Sequence, residues 1–87
     1  MKLSEFAMGA SFRCGDGLWR VTDIGKRVIV AMRIDRVFET VKPNRRRILN
    51  QAEAEAEGWF KGPPYALAEE VFDENDMEGC SPGEERP

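Results

Sequence analysis

The sequence predicts a small α+β domain: a strongly bent antiparallel meander of three or four strands with one short helix packed across it. Three observations predict it. Apolar and polar residues alternate in three runs between residues 11 and 35, and glycine-containing turns separate those runs. Asn50, with Glu53 three residues on, then marks a helix start before an alanine-rich stretch. The 87 residues suit one domain. A fold of this size buries only about 60–65% of its unfolded surface, so its core is thin.

Each element has its own reason. Residues 1–10 are expected as an N-terminal arm, with Phe6 and Met8 placed to cover one end of the core. Ser11–Cys14 alternates as a first strand, and Gly15-Asp16-Gly17 turns the chain. Leu18–Ile24 is the second strand, and Gly25-Lys26 has the composition of a two-residue turn. Arg27–Asp35 is rich in β-branched residues, with Val28, Val30, Met32 and Ile34 on one face and Ile29 and Ala31 on the other. Both faces are apolar at mid-strand, which predicts a central strand. Arg36–Val41 continues the strand after a bend, and Lys42–Arg47 reads as an exposed loop. The helix begins after Asn50 and ends at Gly58, whose freedom at positive φ suits the position after a helix. Residues 65–72 fit either a helix, with Leu67/Val71 and Ala68/Phe72 paired, or a strand. The need to cover a sheet edge favours a strand over Glu69–Phe72. The globular part is expected to span residues 11–80, and residues 81–87 to form a flexible acidic tail. The expected core is Phe12, Trp19, Val21, Val28, Val30, Met32, Ile34, Leu49, Trp59, Leu67 and Phe72.

Composition excludes several function classes. Hydrophobic residues make up 41% and charged residues 33%, too apolar for a disordered chain and too polar for a membrane protein. There is no histidine, so Ser-His-Asp and Cys-His catalysis are impossible within the chain. No catalytic residue and no cofactor is expected. Cys14 and Cys80 lie 66 positions apart and read as two reduced thiols; a disulfide joining the C-terminal segment to the first strand is the alternative. Asp73–Glu78 fails as a calcium loop, because Met77 and Glu78 stand where a ligand and a glycine are needed, so no metal site is expected. No run approaches the roughly 20 apolar residues of a membrane span, and the first residues lack a signal-peptide core. The expectation is a cytoplasmic protein with no membrane partner.

The charge is divided. Residues 1–49 hold 11 basic and 5 acidic side chains, a balance of +6, whereas residues 50–87 hold 2 and 11, a balance of −9. Two halves that attract each other in the fold, or a polyanion-binding face beside an acidic tail, both follow from such a split.

The run Phe12–Gly25, the segment Gln51–Phe60, and Gly62–Ala66 with Val71–Glu74 together resemble a family of small, uncharacterised bacterial proteins, over about residues 11–80. The resemblance implies no activity, cofactor or catalytic residue. The opening from Gly15 and Asp16 to Trp19 and Val21 (glycine, aspartate, two residues, tryptophan, one residue, valine), followed by a tight hairpin, is also similar to the start of SH3-like barrels, which implies an SH3-like partial barrel.

Two surfaces are candidates for binding. Trp59, Phe60, Pro63, Pro64 and Tyr65 combine aromatics with prolines, the composition of an interaction hot spot, although Trp59 and Phe60 are also what a small core needs. Lys42, Arg45, Arg46 and Arg47 can meet several phosphates, with Trp19 or Phe38 as a stacking surface, although Glu53, Glu55 and Glu57 stand nearby as counter-charges. The first reading is therefore a non-catalytic protein–protein interaction module with an unidentified protein partner. The alternative is a nucleic-acid-binding module using the Arg45–Arg47 segment. The sequence specifies no oligomeric state.

Overall fold

The computed structural model describes residues 1–41 and 45–83, and shows an α+β fold with more strands than the sequence predicts. Strands β1 (Ser11–Cys14), β2 (Gly17–Ile24) and β3 (Ile29–Arg33) form the expected antiparallel meander. Gly15 takes φ +62° between β1 and β2, a conformation that favours glycine. The next turn lies one residue later than predicted: Gly25 N–H donates to the Val28 carbonyl (2.8 Å), so Lys26 and Arg27 form the loop. In β2 the pairing shifts between Val21 and Asp23. The extra residue is Thr22, whose hydroxyl donates its one proton to Glu69 Oε1 (2.6 Å), with Val30 O as the second acceptor within reach (3.2 Å). This bulge bends the sheet.

Two short strands complete this sheet. Strand β6 (Glu70–Phe72) pairs with β3 and β7 (Cys80–Pro82) with β1, giving the order β6-β3-β2-β1-β7. The strand expected at Glu69–Phe72 is therefore present, and β3 is indeed internal. Strand β7 begins just before the position at which a flexible tail was expected; Ser81 and Pro82 pair with Arg13 and Phe12. A second sheet is the hairpin of β4 (Arg36–Val41) and β5 (Arg45–Asn50). Arg45–Arg47, expected in a loop, thus stand on a strand. Pairing with β4 imposes that conformation, which the composition of β5 does not advertise. Lys42 lies outside the described residues, as do Pro43, Asn44 and residues 84–87.

Helix α1 (Gln51–Ala56) starts as predicted: Asn50 Oδ1 accepts from Glu53 N–H (2.8 Å) and Glu53 Oε1 accepts from Asn50 N–H (2.9 Å). Gly58 follows at φ +81°. A second helix, α2 (Glu74–Met77), is capped in the same way by Asp73, whose Oδ1 accepts from Asn75 and Asp76 N–H.

Strand β3 divides the interior into two cores. Ile29 and Ala31 face one, with Phe6, Phe12, Val21, Phe72, Met77 and Cys80. Met32 and Ile34 face the other, with Val37, Leu49, Ala54 and Phe60. The two apolar faces fit the expected central strand, but the expected core is corrected: Val28 and Val30 are only half-buried, while Ile29 and Ala31, left out of it, are fully buried. Trp19, Trp59 and Leu67 are also half-buried, packed at the margins. Of the expected arm, Phe6 joins the first core with Met1 and Leu3 packed against it, whereas Met8, expected to cover the core with it, is 62% exposed. Phe6 meets Phe12 edge-to-face at 5.1 Å, and the Met1 ammonium donates to Met77 O (2.7 Å) and Cys80 O (3.2 Å).

Among the described residues, ion pairs join the basic half to the acidic half at Arg20–Glu55 (3.8 Å), Arg27–Glu74 (3.4 Å) and Arg47–Glu57 (2.9 Å). All involve solvent-exposed groups and contribute little individually.

Candidate functional site

The site is built by the hairpin's two-residue period. Val37 and Leu49 are opposite one another across β4 and β5, and both are buried in the second core. Their neighbours must then face outward. Arg36, Phe38 and Thr40 of β4 stand on that outer face, paired with Asn50, Ile48 and Arg46 of β5. Phe38 is 50% exposed and Ile48, directly across from it, 59% exposed. The guanidinium groups of Arg36 and Arg46 each lie 5.7 Å from the Phe38 ring centroid. An aromatic–aliphatic pair thus sits at the centre of an open sheet face with a cation on either side.

A shallow groove of about 220 Å³ adjoins this face, lined by Trp19, Arg33, Arg36, Phe38, Leu67 and Glu70. Its rim is fixed by charge. Arg33 donates in bidentate fashion to Asp35, Nε to Oδ1 at 2.7 Å and Nη2 to Oδ2 at 3.2 Å. Burial pushes the Asp35 carboxyl up, but hydrogen bonds from Arg33 and from the Leu18 backbone outweigh it, so its pKa lies below its ordinary value. Arg36 reaches Asp16 only at 3.9 Å, and among the described residues Arg46 has no ion-pair partner.

The arginine triplet is split by the strand. Arg46 faces outward over Phe38. Arg47 faces the other way and donates to Glu39 and Glu57, with the Glu39 bond as the larger cause of its raised pKa. Arg45 shares that side by alternation and is exposed. The three arginines expected in one phosphate-binding cluster therefore do not converge on one face.

The aromatic segment is likewise divided. Phe60 is buried in the second core beneath the Arg20 guanidinium, 5.4 Å from its ring. Trp59 and Tyr65 are half-buried against the same core, and Trp59 Nε1 donates to Glu57 (3.3 Å). Pro63 and Pro64 are exposed, and both are preceded by cis peptide bonds. Of the five residues, only the two prolines are exposed. In the acidic segment, the Asp73 carboxylate is occupied in capping α2, which holds its pKa down, chiefly through the Asp76 backbone N–H.

Sequence reasoning named Phe38 only as a conditional stacking surface and missed Arg36 and Ile48. The signal is the alternation in both strands, which becomes readable only once their register is known. No family model matches the chain, no curated protein matches it, and no solved structure matches its fold.

Proposed function

We propose that this chain is a non-catalytic protein-interaction module whose contact face is the outer side of the β4–β5 hairpin. One observation carries the reading: Phe38 and Ile48 are paired in register, half exposed or more, and flanked by Arg36 and Arg46. Single exposed apolar residues are ordinary. A cross-strand pair on a fixed face, rimmed by arginine, has the apolar centre and polar rim of a protein contact. Aromatic residues and arginine are also the side chains on which binding energy concentrates. The exposed guanidinium groups select an acidic partner segment carrying apolar anchors. The adjoining groove offers such an anchor a place beside Trp19 and Leu67.

This reading moves the contact face away from Trp59–Tyr65, because the aromatics there are engaged with the core. It has the module acting in the cytoplasm without a cofactor. The sequence resemblance to small bacterial proteins belongs to the same proposal, and the meander followed by a hairpin supports its SH3-like kinship.

A second reading rests on the stack of Arg36, Phe38 and Arg46. Single-stranded nucleic acid can place a base on an exposed ring and its phosphates on flanking cations. Affinity capture with the wild-type chain, the Phe38→Ala/Ile48→Ala variant and Val71→Ala separates these readings; Val71 is a 62% exposed apolar residue on β6. The proposal expects a nuclease-resistant protein partner, lost with the double variant and kept with Val71→Ala. Retained nucleic acid whose binding falls steeply with salt favours the second reading. A protein partner kept by the double variant overturns the choice of face.

A further inference from the structure

The chain's two cysteines are 66 positions apart in sequence, yet β1 and β7 set them directly opposite one another, Cys14 against Cys80. The ladder shows what kind of pair they form. Gly83 N–H donates to Ser11 O (3.2 Å), so residues 11 and 83 mark a hydrogen-bonded position. Alternation makes Arg13/Ser81 the next one, and Phe12/Pro82 and Cys14/Cys80 the non-hydrogen-bonded pairs between and beyond. Pro82, which has no N–H, fits its place in that scheme. At a non-hydrogen-bonded antiparallel pair the Cα atoms stand about 4.5 Å apart and the side chains are closest. That separation lies inside the roughly 4.4–6.8 Å that a disulfide spans. The sulfurs also converge: Cys80 Sγ lies 3.3 Å and Cys14 Sγ 3.9 Å from the same Asp76 carbonyl oxygen.

We propose that Cys14 and Cys80 form a cross-strand dithiol that closes to a disulfide by exchange with a small-molecule disulfide of the glutathione class, and reopens with the corresponding thiol. The two thiols have different parts. Cys14 is half-buried at the end of β1 and can be reached from solvent, whereas Cys80 is only 7% exposed. Burial first, and then the hydrogen bond and charge interaction with Cys14, push the Cys80 thiol up to about 12. Cys14 is therefore the attacking thiol and Cys80 the resolving one.

The chemistry balances in two exchanges. The Cys14 thiolate attacks one sulfur of the small disulfide, whose S–S bond breaks and whose leaving thiolate takes up the proton that Cys14 lost. Cys80 then gives up its proton and attacks Cys14 Sγ in the mixed disulfide, expelling the second small thiol, which takes up that proton. Two protein thiols lose two electrons, one small disulfide becomes two thiols, and no net proton is released. The bond ties the edge strand β7 to β1. It also secures the end of α2, which the Met1 ammonium already holds through Met77 O and Cys80 O. A reducing compartment keeps the pair open, so closure reports a shift to oxidising conditions.

The test incubates the full chain with oxidised glutathione and follows intact mass, free thiols and oligomeric state. Expected is a monomer that loses both thiols and keeps no glutathione. Cys80→Ser should trap a stable adduct on Cys14, and Cys14→Ser should slow modification of the folded chain by about tenfold or more, because only the buried thiol remains. Wild-type protein that accumulates adducts or intermolecular dimers instead of the internal bond overturns the proposal. The wild-type result decides bond formation without either variant. Adduct formation in Cys14→Ser as fast as in Cys80→Ser, with both variants folded by circular dichroism, overturns the assignment of roles.

Discussion

Adjacent residues of β5 should differ sharply in what they contribute to stability. Leu49 is 3% exposed in the second core, while Ile48 is 59% exposed on the outer face. Replacing either by alanine removes three side-chain carbons. Isoleucine is the stronger strand former, so the propensity cost, on a scale of ~1 kcal/mol, falls more on Ile48 and narrows the difference. For Leu49→Ala the transfer loss is about 2.4 kcal/mol at ~0.8 kcal/mol per buried carbon, and the cavity left behind puts the total at about 2–5 kcal/mol. Ile48 keeps about two-fifths of its surface out of water, so the same arithmetic leaves about 1 kcal/mol and no enclosed cavity. A domain of this size has a total stability of roughly 4–13 kcal/mol. A difference of about 1 kcal/mol or more is then readable by urea unfolding, or as a Tm gap of at least about 4–8 °C. Equal destabilisation by the two variants, or a larger effect for Ile48→Ala, refutes the register of the hairpin. It also refutes the outward placement of Phe38, which is paired to Ile48.

Three further outcomes are expected. Asn50→Ala removes the side-chain acceptor for Glu53 N–H and should cost about 0.5–2 kcal/mol in urea unfolding; no change would mean that the cap does not form. Asp35 should titrate below its ordinary value of 3.8 in an NMR pH series. Because the folded value lies below the unfolded one, the Arg33–Asp35 contribution to stability is present above that ordinary value and is lost as pH falls through the folded midpoint. A midpoint at or above 3.8 would contradict the arrangement around Asp35. Gly83→Ala places a Cβ 2.7 Å from the Ser11 carbonyl carbon and 2.8 Å from Phe12 N. Backbone cannot yield cheaply there, so the variant should be less stable by about 1–3 kcal/mol and should oxidise its cysteine pair more slowly. Unchanged stability and oxidation would place β7 elsewhere.

Local signals carried the meander, the internal position of β3 and the start of α1, because alternation, β-branching and an Asn50–Glu53 cap act within a few residues. The strand at Glu70–Phe72 followed from a global argument, that a sheet edge needs covering. What stayed hidden depends on distant partners. Cys80-Ser81-Pro82 has no strand pattern of its own and is ordered by pairing with β1. Arg45-Arg46-Arg47 reads as a loop by composition and is drawn into β5 by β4. The same dependence governed the site. Phe60 and Phe38 are both phenylalanines beside charged residues, and only the fold decides that one fills the second core while the other faces solvent. The arginine triplet looked like one patch, whereas a two-residue period sends Arg46 and Arg47 to opposite sides. Phe6, by contrast, was legible as a cover for one end of the core, where it meets Phe12 edge-to-face.

Photo-crosslinking in the native cell tests the proposed face most directly. A photoreactive residue replaces Phe38 in one variant and Val71 in another; Val71 is 62% exposed on the edge strand β6 and by alternation faces away from Glu70 of the groove. The account predicts a discrete protein adduct from position 38, none from position 71, and loss of the adduct when Arg36 and Arg46 are changed to glutamate. An adduct formed equally at both positions, or at position 71 alone, would contradict it.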